Sequence, residues 1–198
     1  MAIKIIGGAM RCGKTTLVKR IYTELNISHI STDLVRKAAR QQANRITESS
    51  LFAWEEVDVL KGDVWAKKHI QEADYLAALF TDESRLLEPY ILDRLRSEKG
   101  NYTLEGSHIL PDFALTITDI AHITYIIDTS SDQYKRIVMQ HKTPDKDVKY
   151  IQAWSYFNRA YGEYIKSQCK IYGIRCYDIA DYGFEKTMSM ITSTLTAK

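Results

Sequence analysis

Gly8-Ala9-Met10-Arg11-Cys12-Gly13-Lys14-Thr15 follows an apolar run holding Ile3, Ile5 and Ile6, and it precedes Leu17, Val18, Ile21 and Leu25 at helical spacing. The stretch fits G-x-x-x-x-G-K-[ST] between a strand and a helix, the setting in which that spacing has a mechanism. Gly8 and Gly13 let the backbone of residues 8–16, including Met10, Arg11, Cys12 and Thr16, wrap a polyphosphate with its N–H groups. Lys14 reaches the terminal phosphates and the Thr15 hydroxyl serves a Mg²⁺ site. The competing interpretation, a glycine-rich turn with a surface lysine, leaves the strand and helix on either side as coincidence.

Outward from this loop, residues 2–6 form a strand buried on both faces and residues 14–26 a helix. Residues 27–31 make a second strand, ending at Thr32 and Asp33, where Leu34, Val35, Ala38 and Ala39 begin another helix. Ligands of open parallel sheets bind at the carboxyl ends of strands, so Asp33 and Arg36 are expected to face the phosphate crevice. Helix capping by Asp33 and a solvated Arg36 are the alternative.

Residues 41–100 show no strand pattern and are expected to be helices inserted between strands, with Pro89 in a first turn or at a kink. Phe52, Trp54, Trp65 and Tyr75 are read as ordinary helix packing, with a substrate pocket or a homodimer contact as alternatives. Residues 101–104 form the third strand and deliver Glu105, a carboxylate suited to the magnesium shell or its bound water. His108 is either a substrate contact or a structural histidine bonded to a loop carbonyl.

The fourth strand spans residues 122–127, and a helix with Tyr134, Ile137 and Val138 follows. Residues 141–149 are polar and basic and precede a long helix carrying Ile151, Trp154, Phe157, Tyr161, Tyr164 and Ile165 at helical spacing. A closing lid is one interpretation of that segment, with Arg136 and Arg159 adding charge in the transition state. A solvated loop is the other. Residues 174–179 form the fifth strand, and Phe184, Met188, Ile191 and Leu195 line one face of the last helix.

The 198 residues, 45% hydrophobic, suit one α/β domain, spanning 1–198, with the helical insertion inside it. A net charge of +2, with both signs scattered, gives no electrostatic case for an obligatory nucleic-acid partner. Cys12, Cys169 and Cys176 lack metal-ligand spacing and do not form a disulfide framework, which points to a reduced cytoplasm. No apolar run approaches the length that spans a bilayer. Cys12 precedes a helix N-terminus beside Lys14, a setting that favours a reactive thiolate if the sulfur is exposed and only a packing role if it is buried.

The order of these features resembles the small-molecule kinases of the P-loop superfamily, the nucleoside-monophosphate-kinase-like group. Ser31-Thr32-Asp33-Leu34-Val35-Arg36 and Leu104-Glu105-Gly106-Ser107-His108-Ile109-Leu110-Pro111 look most like 2-phosphoglycerate kinase-like proteins. The resemblance implies a three-layer α/β/α sandwich around a five-stranded parallel sheet in the order 2-3-1-4-5, a helical substrate-binding insertion, and a lid. It also implies transfer of the ATP γ-phosphate, with Mg²⁺, to a small anionic acceptor. Asp33 would activate or orient the acceptor hydroxyl and Arg36 would grip its anion. Adenine would lie between Arg136 and the loop at Ala180, Asp181 and Tyr182.

The chain departs from this pattern at Arg11, where such loops commonly carry another glycine, and it is short beside full 2-phosphoglycerate kinases. Two alternatives stay open. One is a nucleotide or nucleic-acid-end kinase of toxin-like type. The other is a regulatory ATPase or nucleotide switch, although no N-K-x-D stretch for guanine is present.

Overall fold

The computed structural model describes residues 3–25, 27–45, 47–60, 62–141 and 148–196. Five parallel strands form one sheet in the order β2-β3-β1-β4-β5: β1 Ile3–Gly8, β2 Ser28–Ser31, β3 Tyr102–Gly106, β4 Ile123–Ile127 and β5 Arg175–Asp178. Helices cover both faces, so the central strands bury both sets of side chains. Ile5, Ile6, Leu104, Ile123, Tyr125 and Ile126 are all buried. Continuous apolar runs, rather than alternation, are what such a position requires.

Register decides where chemistry can occur. Ile6 pairs with Glu105, and Ser31 also pairs with Glu105, so the carboxyl ends of β2, β3 and β1 lie level. Helix α1 (Lys14–Leu25) leaves β1 through the phosphate loop, and α2 (Thr32–Gln42) leaves β2 with no loop between them. Thr32, Val35 and Ala39 form the buried stripe of α2, while Asp33 falls in its first turn, where a carboxylate meets the positive end of the helix.

The insertion expected over 41–100 holds no strand among its described residues and is built of helices joined by short turns: a 3₁₀ turn (Ser49–Phe52), α3 (Ala53–Asp58), α4 (Gly62–Gln71) and α5 (Ala73–Arg96). The two apolar patches of its second half join in one 24-residue helix, and Pro89 lies inside α5 rather than in a first turn. Helices α6 (Pro111–Ile117) and α7 (Gln133–His141) follow β3 and β4. Then α8 (Val148–Tyr172) runs back over the sheet, burying Ile151, Phe157, Tyr161 and Ile165, and both α4 and α5 pack on it. Each such side chain contributes about 1.5–3 kcal/mol. A short α9 (Ile179–Tyr182) and α10 (Phe184–Thr196) close the sheet through Met188, Ile191 and Leu195.

Most of the segment 141–149 read as a lid lies outside the described residues. No helix among those described is long and apolar enough to cross a membrane.

Candidate active site

The phosphate loop is shaped by glycines that nothing else can replace. Gly8 has φ 129°, and a Cβ there would stand 1.9 Å from the Ile126 carbonyl oxygen. Gly13 has φ 84°, and its Cβ would strike the Phe184 ring at 2.6 Å. Both positions therefore demand glycine for conformation and for room.

Lys14 leaves this loop into a buried position. Its Nζ donates to the Ala9 carbonyl at 2.7 Å and to Ser107 Oγ at 3.0 Å. Burial lowers its pKa from the ordinary lysine value, against the pull of Glu105 and Asp33. Thr15 Oγ1 donates to Glu105 Oε1 at 3.4 Å, and that carboxylate is itself buried at the end of β3. A hydroxyl and a carboxylate at one point are hard oxygen donors of the kind Mg²⁺ takes when phosphates and water complete its shell.

These groups open on one cavity of about 440 Å³, lined by Met10, Arg11, Gly13, Lys14, Thr15, Thr16, Asp33, Glu105, Gly106, Ser107 and Trp154. The volume lies in the range of small-ligand sites. Lys14, Thr15, Glu105 and Asp33 thus line one cavity.

Arg36 is placed elsewhere. Its Nε and Nη2 donate to Glu83 Oε1 and Oε2 at 2.7 and 3.1 Å, and it does not line the cavity. Glu83 belongs to α5 and also accepts from Arg40 at 2.9 Å, so two guanidinium groups converge on one carboxylate with only 1% of its surface exposed. The strand-end position of Asp33 and Arg36 predicts that both face the phosphate crevice; a buried acid 47 residues away turns Arg36 from it.

Arg136 is likewise held, by Asp128. Its Nε and Nη2 reach Asp128 Oδ2 at 3.0 and 2.8 Å, and Nη2 also donates to the Arg11 carbonyl at 3.1 Å. It touches the phosphate loop through the backbone and lies over the Phe184 ring. Arg159 sits over Tyr156 in a separate, small depression with Ser130, Ser131 and Tyr134. Asp181 is exposed on α9 and does not reach the cavity lining.

His108 is buried outside the cavity lining, and its hydrogen-bond partner is a side chain rather than a loop carbonyl. Its Nδ1 pairs with Ser84 Oγ at 3.0 Å and its ring stacks on Phe80, with centroids 4.3 Å apart. Burial, then the charges of Arg36, Arg40 and Lys14, hold its pKa well below the ordinary histidine value, so it is neutral. Cys12 is fully buried, its thiol lies 3.3 Å from the Met10 carbonyl, and burial pushes its pKa up to about 12. Of the two readings of Cys12, the structure shows the buried packing group.

Sequence reasoning did not single out Ser107, Trp154, Asp128 or Glu83 for these contacts. Ser107 had a signal, a hydroxyl two residues past the carboxylate at a strand end. Trp154 shares its helical spacing with core residues and is half-buried where they are buried.

No protein-family model matches the chain, and no curated protein matches it either. Among solved structures, an uncharacterized protein from Eubacterium ventriosum ATCC 27560 superposes with a TM-score of 0.52 at 14% identity, covering 100% of this chain and 99% of its own. Deoxyadenosine kinase from M. mycoides with bound dATP gives 0.45 at 11% identity, covering 100% of both chains. A gluconokinase from Sinorhizobium meliloti 1021 gives 0.45 at 12% identity, covering 98% of this chain and 94% of its own. The first is a likeness of fold alone and the other two carry no argument about activity. The parallel sheet in the order 2-3-1-4-5, helices on both faces, and the loop between β1 and α1 make this a P-loop α/β fold.

Proposed function

We propose that this chain is a Mg-ATP-dependent phosphotransferase that moves the γ-phosphoryl group to a hydroxyl or phosphate of a small anionic acceptor. The observation that carries the reading is the meeting of Lys14, the Thr15–Glu105 pair and Asp33 around one 440 Å³ cavity. The loop N–H groups and Lys14 bind and orient the phosphates. Thr15 and Glu105 would hold Mg²⁺, which would supply positive charge against the phosphates. Asp33 accepts the acceptor's proton as its oxygen attacks phosphorus and the bond to the β-phosphate breaks. Trp154 in the cavity wall gives a stacking face, and this favours a second reading in which the acceptor carries a nucleobase.

ATP consumption by the purified protein, measured against a panel of hydroxylated and phosphorylated metabolites that includes nucleosides, tests the proposal. Turnover with one acceptor class is expected, and Lys14→Ala should lower it about 100–1000-fold, the scale for removing one positioned charge donor. Equal ATP affinity and equal turnover in wild type and Lys14→Ala would overturn it.

A further inference from the structure

The arginines expected to add charge at the transition state are engaged elsewhere: Arg136 with Asp128, Arg36 with Glu83, and Arg159 outside the cavity. Arg11 does line the cavity, beside Lys14. It occupies that place in an unfavourable conformation, with φ 55°, and it is the one non-glycine residue with positive φ among those described. The left-handed region crowds a Cβ against the neighbouring carbonyl and so disfavours residues other than glycine. Such strain gathers at sites where the surroundings enforce it.

Among the described residues, Arg136 and Trp154 enforce it here. Arg136, anchored on the buried Asp128, donates to the Arg11 carbonyl at 3.1 Å and holds the backbone. Trp154 of α8 holds the side chain, with the guanidinium carbon 5.5 Å from the indole centre. Arg11 and Trp154 line the same cavity as Lys14 and Thr15, so the loop itself brings an arginine to the place where the phosphates would lie.

We propose that Arg11 is a catalytic residue of the phosphoryl transfer, laying its guanidinium on the γ-phosphoryl oxygens as charge develops there, with Trp154 as its positioning residue. The inference rests on the phosphotransferase reading above. In that step the acceptor oxygen forms a bond to phosphorus as the bridging bond breaks, the bond pair leaves on the β-phosphate oxygen of ADP, and the proton goes to Asp33. Arg11 exchanges no proton, because a guanidinium stays charged and offers a planar fork suited to two phosphate oxygens.

The test compares wild type with Arg11→Gly, Arg11→Lys, Trp154→Leu and the Lys14→Ala control. Calorimetry reads the affinity for Mg-ADP with and without aluminium fluoride, and a coupled assay reads ATP turnover. Arg11→Gly should keep Mg-ADP affinity within about threefold, lose about 100-fold in turnover and in the gain from aluminium fluoride, and melt no lower than wild type, since glycine relieves the positive φ. Arg11→Lys should recover only part of the loss. Trp154→Leu should lower turnover with Mg-ADP affinity unchanged.

Wild-type turnover in Arg11→Gly, with Lys14→Ala inactive, would overturn the role of Arg11 and leave the phosphotransferase reading standing. A wild type that neither binds Mg-ATP nor responds to aluminium fluoride would overturn both. An equal loss of Mg-ADP affinity and turnover in Arg11→Gly would reassign Arg11 to ground-state binding and overturn its catalytic role.

Discussion

Replacing Glu83 tests how the insertion is fastened to the sheet. Its carboxylate takes bonds at 2.7 and 3.1 Å from Arg36 and at 2.9 Å from Arg40. Only 1% of the Glu83 side chain is exposed, against 22% for Arg36 and 16% for Arg40, so solvent screening is slight on all three. Removing one member of a buried ion pair costs about 3–5 kcal/mol, because the charge left behind is desolvated and unmatched. Arg40 keeps the Leu51 carbonyl at 2.8 Å and Glu55 at 3.6 Å, so its share falls at the low end. Glu83→Ala should therefore cost about 3–4 kcal/mol, and Glu83→Gln, which keeps the shape and one acceptor, about 2 kcal/mol.

Domains of this size lose about 2–4 °C of melting temperature per kcal/mol, so Glu83→Ala should melt about 6–16 °C lower. Urea unfolding followed by tryptophan fluorescence and by circular dichroism measures the free energy directly. A cycle with Arg36→Met should show that the double variant is less destabilised than the two single losses added together. A loss below about 1 kcal/mol in Glu83→Ala, or strict additivity in the cycle, would refute a buried, mutually dependent cluster.

Other outcomes follow from the same structure. Asp33→Asn should lower kcat far more than it raises the acceptor KM, as steady-state kinetics on the acceptor found in the panel would check. Glu105→Gln should raise the Mg²⁺ concentration needed for half-maximal turnover, read from a magnesium titration at fixed ATP. Burial depresses the pKa values of His108 and His69 in the folded chain, so below about pH 6.5 the unfolded chain binds protons that the folded one does not. Stability should then fall as pH drops from 7 to 5, by up to about 1.4 kcal/mol per pH unit for each histidine, and His108→Gln should flatten the slope in urea titrations. Cys12, buried and with its pKa pushed up to about 12, should be alkylated more slowly at pH 8 than the half-buried Cys176, as peptide mapping would report.

The parts of the site that were legible in the sequence are those made by neighbours in the chain. Gly8, Gly13, Lys14 and Thr15 act through a local backbone path, and the strand before and helix after them were visible as patterns. Glu105 and Asp33 were legible because strand ends in a parallel sheet share one edge, which the pairing of both Ile6 and Ser31 with Glu105 bears out. The side-chain partners of the arginines were not legible. Arg36 turns to Glu83 on a helix whose place depends on the packing of the whole insertion, and Arg136 turns to Asp128 across a helix start. A place at a strand end says which groups lie near the crevice, but a buried carboxylate decides which way a guanidinium points.

The same contrast explains why Arg11 is tied to residues far from the phosphate loop. A glycine at that position would adopt φ 55° without strain, and the loop would then be self-sufficient. An arginine there stays put only where other elements hold it, and two holders among the described residues lie well beyond β1 in the chain: Arg136 on α7, through the loop carbonyl, and Trp154 on α8, through the guanidinium. Phe184 of α10 adds a third constraint by packing where a Gly13 side chain would stand, beneath Arg136. The loop conformation is thus shared between the motif and three helices that follow β4. Loosening any one of the three should show at Arg11 before it shows at Lys14, whose partners Ala9 and Ser107 lie at the ends of β1 and β3.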